Sequence, residues 1–339
     1  MVTMVDVAVS AGVSTATVSH VLNGTRFVKE STRLRVLEAI DRTGYTHNTV
    51  ARSLAASSTK TIGLAMAAIS NPYFIDLVHA IETEIRRAGY SLLLADTLDD
   101  AEEEFRAIRS LHQRRVDGYL IAPSCDPDSG ALDYLADRGL AVVLVDRLAS
   151  DRFDQVGSEN IEAASLLVEH LAANNHRRIA LVSGPAGLTT TLARAEGFRL
   201  GMRRSGLAVD EQLLITEAGD PDRAAATVHQ LMSLSDPPTA ILAANNRMTI
   251  GAMKGFRGLG LEVPRDIALV SFDDFEWADL FRPRLTVVAQ RIDEIGRHAV
   301  RLLLERIADP ARAPQTIELP PRFIHRESCG CPDDSSLSR

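Results

Sequence analysis

The sequence has few of the features that mark secreted or membrane-embedded proteins. Its 339 residues include three cysteines, Cys125, Cys329 and Cys331, which are too few for a disulfide framework. Aromatic residues make up 5% of the chain, and no apolar run approaches the about 18 residues of a transmembrane helix. The first residues lack a basic segment followed by a long apolar run, so we expect no secretory signal. These absences favour a protein of the cytoplasm without membrane contact.

Motifs of common enzyme classes are also missing. We find no Gly-x-Ser-x-Gly elbow, no His-Glu-x-x-His zinc helix and no Gly-x-x-x-x-Gly-Lys phosphate loop. We therefore expect no enzyme, no catalytic residue and no cofactor. The pair Cys329-x-Cys331 would need further metal ligands, and His325 is the only obvious one nearby. For this segment we expect no metal and a mobile tail.

Composition and charge indicate more than one domain. The chain is 45% hydrophobic and 24% charged, which suits two or three folded domains. Residues 1–60 carry seven basic and four acidic side chains, whereas the whole chain has a net charge of -8. A small basic head on a large acidic body indicates a nucleic-acid module joined to a second function.

The head begins with two predicted helices joined by a tight turn. Thr3 and Asp6 have the spacing of a capping box, with Asp in place of the usual Glu or Gln. Gly12 ends this helix, and Ser14 can cap the next one. The second helix exposes its first turn, as in a helix that enters the DNA major groove.

A third helix is predicted from about Ser31 to Thr43, with Leu34, Leu37 and Ile40 facing inward. A further segment, residues 48–56, is compatible with a helix but has little to bury. Residues 57–60 have the composition of a linker.

From Thr61 onward, apolar runs alternate with segments of helical period, which predicts parallel sheets covered on both faces. The predicted strands are residues 61–69, 90–96, 116–122, 140–146, 178–183, 213–217, 240–245 and 267–272. The predicted helices are residues 73–88, 101–114, 161–174, 191–205, 222–233 and 247–257. Eight strands with helices between them are more than one sheet comfortably holds, so we expect two α/β lobes.

The head closely resembles that of the lactose-repressor (LacI/GalR) family of bacterial transcriptional regulators. The motif is Val2-Thr3-Met4-x-Asp6-Val7-Ala8-x-x-Ala11-Gly12-Val13-Ser14-x-x-Thr17-Val18-Ser19-x-Val21-Leu22-Asn23-Gly24, continued by Asn48-x-x-Ala51-Arg52-Ser53-Leu54. The resemblance extends along nearly the whole chain. Further matches in order are Asn71-Pro72-Tyr73-Phe74, Val145-Asp146-Arg147, Ser183-Gly184-Pro185 and Phe272-Asp273-Asp274.

The resemblance implies DNA contacts for individual head residues. Thr15, Ala16 and His20 would face bases in the major groove. Phosphate contacts are implied for Thr3, Ser14, Ser19, Asn23 and Thr32. The segment 48–56 would be a hinge helix, whose Leu54 wedges into the minor groove at the operator centre. Tyr45, Asn48 and Ala51 complete the implied DNA-binding set.

Three head positions depart from the family pattern. His20 stands where Arg is usual, so the two-pronged contact with guanine is lost; a phosphate contact is the alternative. His47 replaces the usual Pro before the hinge, which makes the linker less rigid. Lys29 replaces the usual Ser at the cap of the third helix, costing about 1 kcal/mol of capping while adding a possible phosphate contact.

For the body, the resemblance implies a two-lobed fold like that of periplasmic sugar-binding proteins, with parallel sheets and a ligand in the cleft. Residues 1–46 would form the helix-turn-helix head, 47–60 the hinge and linker, and 61–339 the body. The N-lobe would comprise about 61–158 and 290–318, and the C-lobe about 159–289 and 319–330, followed by the tail 331–339. The three crossovers would lie near Ser158, Ala289 and Glu318.

Candidate effector residues follow the predicted strands, because ligands of such folds bind at the carboxyl ends of strands. Forked hydrogen bonds from carboxylates, guanidinium and amide groups suit a sugar or related polyol, and aromatic rings can stack on it. The candidates are Tyr73, Phe74, Ser124, Asp146, Arg147, Thr190, Arg194, Asn245 and Asp273. Tyr73 and Phe74 could equally be core residues, and Arg147 could simply pair with Asp146.

Two positions bear on the kind of effector. Asn246 stands where the family usually has Asp, which leaves the ligand class open. Leu188 stands where purine-type repressors have a second Arg, which argues against an anionic or purine ligand. A nucleoside-responsive repressor and a solute-binding sensor without operator function remain alternatives. Only eight residues follow Cys331, without a leucine heptad, so we expect a homodimer on double-stranded operator DNA.

Overall fold

The fold is taken from a computed structural model that describes residues 2–24, 26–45, 58–67, 71–124, 130–216 and 218–331. The chain divides into two compact units, Met1–Thr59 and Lys60–Arg339. The expectations for His47, Asn48, Ala51, Leu54 and the hinge helix fall outside the described residues.

The described part of the head contains three helices: α1 (Met4–Ala11), α2 (Thr15–Asn23) and α3 (Glu30–Thr43). The capping box is confirmed, because the Thr3 hydroxyl accepts from the amide of Asp6 while the Asp6 carboxylate accepts from the amide of Thr3. Gly12 ends α1 in the left-handed region at φ 67°, and the Ser14 side chain caps α2. Local sequence therefore dictates the helix-turn-helix geometry.

The inward face of α3 differs from the prediction. Leu34 and Leu37 are 51% and 37% exposed, whereas Val36 and Ala39 are fully buried. These smaller side chains let α3 pack closely on α1, where Val7 is buried in the same cluster. The prediction was wrong for Leu34 and Leu37, which occupy another face of the helix, whereas Ile40 is partly buried and packs against the head's core as predicted.

The body contains two six-stranded sheets, ordered β11-β5-β4-β3-β1-β2 and β12-β10-β9-β8-β6-β7. Every pairing is parallel except that of β10 with β12. The strands are β1 (Thr61–Met66), β2 (Ser91–Asp96), β3 (Gly118–Ile121), β4 (Val142–Val145), β5 (Asp154–Ser158), β6 (Ile179–Val182), β7 (Leu214–Ile215), β8 (Ala240–Ala243), β9 (Ala268–Phe272), β10 (Thr286–Ala289), β11 (Thr316–Leu319) and β12 (Arg322–Ile324).

Helices cover both faces of the sheets, as continuous apolar strands require. They are α4 (Pro72–Arg87), α5 (Ala101–Gln113), α6 (Ala131–Asp137), α7 (Ile161–Ala173), α8 (Thr189–Arg204), α9 (Pro221–Met232), α10 (Asn246–Leu259) and α11 (Ile292–Ala308). Sequence analysis missed β5, β10, β11 and β12 and the helices α6 and α11. Polar residues make up most of β5, and β12 has only three residues, so neither gives a strong strand pattern.

The chain changes sheets three times. It leaves the first sheet after Ser158, returns after Ala289 through α11, and crosses again after Leu319 into β12. α11 packs its residues Ile295, Ala299 and Leu303 into the core of the first sheet. Each lobe is therefore built from chain segments that are distant in sequence.

The segment after β12 is packed, which contradicts the expectation of a mobile tail as far as Cys331. The Ser328 hydroxyl donates to the carbonyl of Leu269 at 2.6 Å and accepts from the amide of Thr286 at 2.8 Å. Cys329 is fully buried. These contacts bind the segment to β9 and β10.

Within the described part of the chain, no single helix is long and apolar enough to cross a membrane. Residues Met4–Ala11 and Thr15–Leu22 meet the length and composition requirement only as a pair, and they are bent by 102°.

Candidate functional sites

The exposed start of α2 carries several of the predicted DNA contacts. Ser14, Thr15 and Ala16 are exposed, while Ser19 and His20 are partly exposed on the same helix. The Ser14 hydroxyl lies 2.9 Å from that of Thr17. This arrangement presents small polar side chains at a helix N-terminus, which suits base edges in the major groove.

The remaining head candidates have different environments. Thr3 and Lys29 are exposed, and Thr32 is partly exposed. Lys29 occupies the N-cap of α3 without a side-chain capping bond, as the sequence predicted. Tyr45 is only 9% exposed and belongs to the head's core, so its ring supports the fold instead of lying on the surface with the others. The side chain of Asn23 lies outside the described residues.

In the body, residues that follow the strands enclose a cavity of about 320 Å³. All predicted effector residues except Ser124 line it: Tyr73, Phe74, Asp146, Arg147, Thr190, Arg194, Asn245 and Asp273. Further lining residues include Asn71, Leu98, Asp99, Leu188, Thr191, Arg247, Met248 and Gln290. Because they come from both sheets, the cavity lies between the lobes, and we call it the cleft.

Two aspartates occupy equivalent places in the two lobes. Asp146 follows β4 and Asp273 follows β9, and both have positive φ, at 68° and 75°. Such backbone conformations are uncommon for residues other than glycine and cluster at functional sites. Both carboxylates are buried, with exposures of 5% and 2%.

Arg194 projects from α8 and is fixed by three contacts. Its Nη1 donates to the carbonyl of Ala244 at 2.6 Å, and its Nε donates to the Asn160 side chain at 2.8 Å. The guanidinium lies 3.7 Å from the centroid of the Phe272 ring. With an exposure of 6%, Arg194 is a cleft residue and not a surface residue of its helix.

Arg147 lies on the N-lobe side of the cleft. Its Nη1 donates to Asp99 at 2.6 Å and to the carbonyl of Pro123 at 2.7 Å, and its Nε is 3.8 Å from Asp146. The predicted pairing with Asp146 is therefore the longer of its two ion pairs. Its guanidinium also lies 5.6 Å from the Phe74 ring centroid.

In the cleft, burial and nearby positive charges shift the pKa values of the two aspartates in opposite directions. Burial raises the pKa of Asp146 and of Asp273, whereas Arg194 and other neighbours lower both. Burial also raises the pKa of Tyr73 well above its usual value, and the charge of Asp146 raises it further. Among the described residues, the Gln290 Oε1 is buried without a hydrogen-bond partner, whereas the Tyr73 hydroxyl interacts with the Asp146 carboxylate. The Gln290 Oε1 is therefore an acceptor that a ligand in the cleft can use.

Two asparagines begin helices at the cleft. The Asn71 side chain caps α4 by accepting from the amide of Tyr73 at 3.1 Å, and Asn245 caps α10 by accepting from the amide of Met248 at 3.0 Å. These bonds use the amide oxygens and leave the amino groups to donate elsewhere.

Ser124 does not line the cleft, in contrast to the prediction. Its amide donates to the Glu104 carboxylate at 2.6 Å, which draws the residue toward α5. Sequence reasoning also missed Gln290, which follows β10 and donates to Asp273 Oδ1 at 2.6 Å. Gln290 directly follows a strand, which is the criterion that identified the other candidates, but β10 itself was not predicted.

A helix-turn-helix head and a two-lobed body with a polar cleft together are typical of bacterial transcriptional regulators. Residues 3–48 match the lacI family of bacterial regulatory proteins, and residues 168–329 match the periplasmic binding protein-like domain. The HTH-type transcriptional repressor PurR of Photobacterium profundum is 34% identical over 97% of this chain and 98% of its own length. The chain belongs to the LacI family and is a DNA-binding transcriptional repressor, not an enzyme.

Solved structures agree with this assignment. The lac repressor dimer bound to operator and the anti-inducer ONPF has a TM-score of 0.86 and 28% identity, covering 97% of this chain and 99% of that one. A LacI family regulator from Enterococcus faecium with bound ribose has a TM-score of 0.70 and 26% identity, covering 79% and 98%.

Proposed function

We propose that this repressor binds a pseudo-palindromic operator as a homodimer and is controlled by a sugar of monosaccharide size held in the cleft. The observation that carries the proposal is the convergence of Asp146, Arg194 and Asp273 on one buried cavity. Carboxylates accept from pairs of adjacent hydroxyls, and a guanidinium donates to them in a fork. As a regulator of chromosomal genes, the protein would act in the cytoplasm.

Cavity size and charge both support a small polyol. A volume of about 320 Å³ lies at the lower end of the range for small-molecule sites. The three carboxylates that line the cleft, those of Asp99, Asp146 and Asp273, are balanced by three guanidinium groups, those of Arg147, Arg194 and Arg247, so an uncharged ligand leaves no charge unbalanced. Leu188 makes its part of the cleft wall apolar, whereas a basic side chain at this position would favour an anionic ligand.

A nucleobase or nucleoside is the second candidate. It is favoured by the relatives named PurR, which share about a third of their residues with this chain. Phe74 offers an aromatic face for a planar ring, although the nearby Arg147 competes for it. Among solved relatives, the Enterococcus faecium regulator carries ribose, which supports the first candidate.

Ligand control would work through the lobes. An effector that contacts both Asp146 and Asp273 changes the angle between the two lobes and hence the separation of the two hinge segments of a dimer. The resulting change in operator affinity is a coupling free energy, and operator DNA must change effector affinity by the same factor. An inducer would weaken operator binding, and a co-repressor would strengthen it.

The first experiment identifies the operator. Full-length protein selects duplexes from a random DNA pool at moderate salt, alone and with pooled sugars or pooled nucleobases and nucleosides. We expect a palindrome with a central CG-type step, whose binding weakens steeply with salt. Recovery of no preferred sequence under any of these conditions would contradict operator recognition.

The second experiment identifies the effector class by calorimetric titration of single sugars and nucleobases. We expect Arg194→Lys to weaken effector binding at least tenfold, because one ammonium cannot keep the bonds to Asn160 and Ala244 and also donate to the ligand. Arg199→Lys is the matched control, since Arg199 lies on the same helix but pairs with Glu211 at 2.9 Å on the surface. Binding of a nucleobase and no sugar would replace the first candidate by the second.

A further inference from the structure

Four potential metal ligands meet on the C-lobe, away from the cleft. His170 belongs to α7, whereas His325, Cys329 and Cys331 follow β12. One ligand atom from each residue lies within 4.8 Å of those of the other three. Sequence reasoning considered only the last three, because His170 is 161 residues from Cys331.

The distances within this cluster are short and specific. Cys329 Sγ is 3.3 Å from His325 Nε2, and Cys331 Sγ is 3.2 Å from His170 Nε2. The two sulfur atoms are 3.1 Å apart. Zinc bonds of about 2.3 Å to sulfur and about 2.0 Å to nitrogen, at tetrahedral angles, separate ligand atoms by about 3.3 to 3.8 Å. The observed spacing needs only small adjustment to surround one ion.

The surrounding structure holds these ligands in place. Ser328, next to Cys329, is fixed to β9 and β10 by the hydrogen bonds described above. Gly330 adopts φ 76°, a left-handed conformation that turns the chain between the two cysteines. Cys329 is fully buried and the other three residues are partly buried, so the site is shielded but reachable.

We propose that His170, His325, Cys329 and Cys331 form a structural site for one tetrahedral divalent metal ion of the zinc class. Two thiolates and two imidazoles are a donor set that such ions prefer, and four protein ligands leave no open position for chemistry. On binding, each thiol releases its proton to solvent and no electron is transferred. The ion would fasten the end of the described chain to α7.

This attachment would stabilise the lobe that carries half of the cleft. α7 packs against α8, the helix of Arg194: a Cβ at Gly197 would come within 2.2 Å of the carbonyl oxygen of Ile161. Arg326, between the proposed ligands, pairs with Asp274 at 2.9 Å, next to Asp273. Metal binding would therefore raise the thermal stability of the folded body.

The test uses the full-length chain carrying Cys125→Ser, so that the only thiols belong to the proposed site. The protein is purified under reducing conditions without chelator, its zinc is counted by mass spectrometry, and Co²⁺ is exchanged into the site. We expect one zinc per chain, thiolate-to-cobalt charge-transfer absorption and the strong visible bands of tetrahedral Co²⁺. Zinc added to the metal-free protein should raise its unfolding midpoint.

Three variants separate coordination from general misfolding. Cys331→Ser and His170→Gln should each weaken zinc binding at least tenfold while circular dichroism remains that of the folded chain. His298→Asn, which replaces a partly exposed histidine on α11 outside the proposed site, should change nothing. If a variant does not fold, the cobalt spectrum of the parent chain still decides the question.

Octahedral cobalt bands, or no zinc retained and no stabilisation on titration, would overturn the proposal. So would a Cys329–Cys331 disulfide in freshly purified protein, seen as a mass lower by two hydrogen atoms and loss of both free thiols. The observed sulfur separation of 3.1 Å exceeds the about 2.05 Å of such a bond.

Discussion

The side-chain amide of Gln290 donates a hydrogen bond of 2.6 Å to Oδ1 of Asp273 in the cleft. Asp273 follows β9, while Gln290 immediately follows β10, where the chain crosses from the second sheet toward the first. The orientation of the Asp273 side chain, a candidate effector contact, is thus tied to one of the crossovers. A ligand that displaces this bond would act directly on the segment that joins the lobes.

The buried carboxyl of Asp273 predicts an acid-sensitive effector site. Burial raises its pKa above 3.8, so its protonation begins at a higher pH than in the unfolded chain. Effector affinity should therefore fall as the pH is lowered through the raised pKa of Asp273, because the protonated carboxyl loses acceptor capacity. Calorimetry over a pH series checks this, and Asp273→Asn should bind weakly and with a smaller pH dependence, since Asp146 also has a raised pKa.

The raised pKa of Asp273 also makes the stability of the fold depend on pH, but in the opposite direction: the aspartate favours folding at acidic pH. A carboxyl with a raised folded pKa favours folding below its unfolded pKa, and this contribution is lost as the pH rises through the folded pKa. Compared with the parent, Asp273→Asn should therefore have a higher free energy of unfolding at neutral pH, and this difference should become smaller at acidic pH. Asp222→Asn, whose side chain is 88% exposed, is the control. Equal urea unfolding profiles for Asp273→Asn and the parent at both pH values would contradict the argument.

We expect substitution of Lys29 to affect the stability of the head and its affinity for DNA in opposite directions. Lys29→Ser should stabilise α3 by about 1 kcal/mol, because serine can cap the helix that Lys29 leaves uncapped. The same change should weaken operator binding and lower the salt slope by about 1. Hydrogen exchange of α3 amides and binding at several salt concentrations measure the two effects. Lys29→Ala should weaken binding without the stabilisation; an unchanged salt slope in both variants would exclude a phosphate contact.

Two glycines on α10 predict opposite responses to the same substitution. A Cβ at Gly251 would lie 2.4 Å from Ala224 Cβ and 2.6 Å from the carbonyl oxygen of Pro221, so Gly251→Ala must separate α9 from α10. We expect a loss of about 1 to 3 kcal/mol in unfolding free energy. At Gly258, the nearest atom is the movable His229 ring at 3.0 Å, and helix propensity favours alanine by about 1 kcal/mol. Denaturant unfolding of both variants makes the comparison; equal losses would refute it.

Leu54 separates operator binding from effector binding. If it is the minor-groove wedge that the sequence predicts, Leu54→Ser should abolish measurable operator affinity and leave effector calorimetry unchanged. Ala55→Ser is a neighbouring control in the same predicted segment. Retained operator binding by Leu54→Ser would remove the wedge from the mechanism.

His20 predicts an altered base preference. His20→Arg restores a two-pronged donor for guanine on the exposed side of α2, which is worth about 1 to 3 kcal/mol at one base pair. Parallel selections from a randomised operator library should differ at a single symmetric position in each half-site. Identical preferences for both proteins would favour a phosphate contact for His20.

Local signals account for the head and for most of the cleft. Thr3, Gly12 and Ser14 fix the helix ends through bonds to neighbours within three or four residues, so sequence alone was sufficient. Asp146 and Asp273 were predictable because they directly follow strong apolar strands. The inward face of α3 was predicted correctly only at Ile40, because local periodicity does not say how closely a neighbouring helix approaches.

The sequence by itself determined the family, the capped helices, the alternating strands and helices, and the residues at strand ends, since each depends on short-range pattern. Only the tertiary structure decided that Gln290 meets Asp273, that Ser124 turns away to Glu104, and that His170 joins Cys331 across 161 residues. These relationships depend on sheet order and on three crossovers. Such long-range packing leaves no periodic signal in the chain.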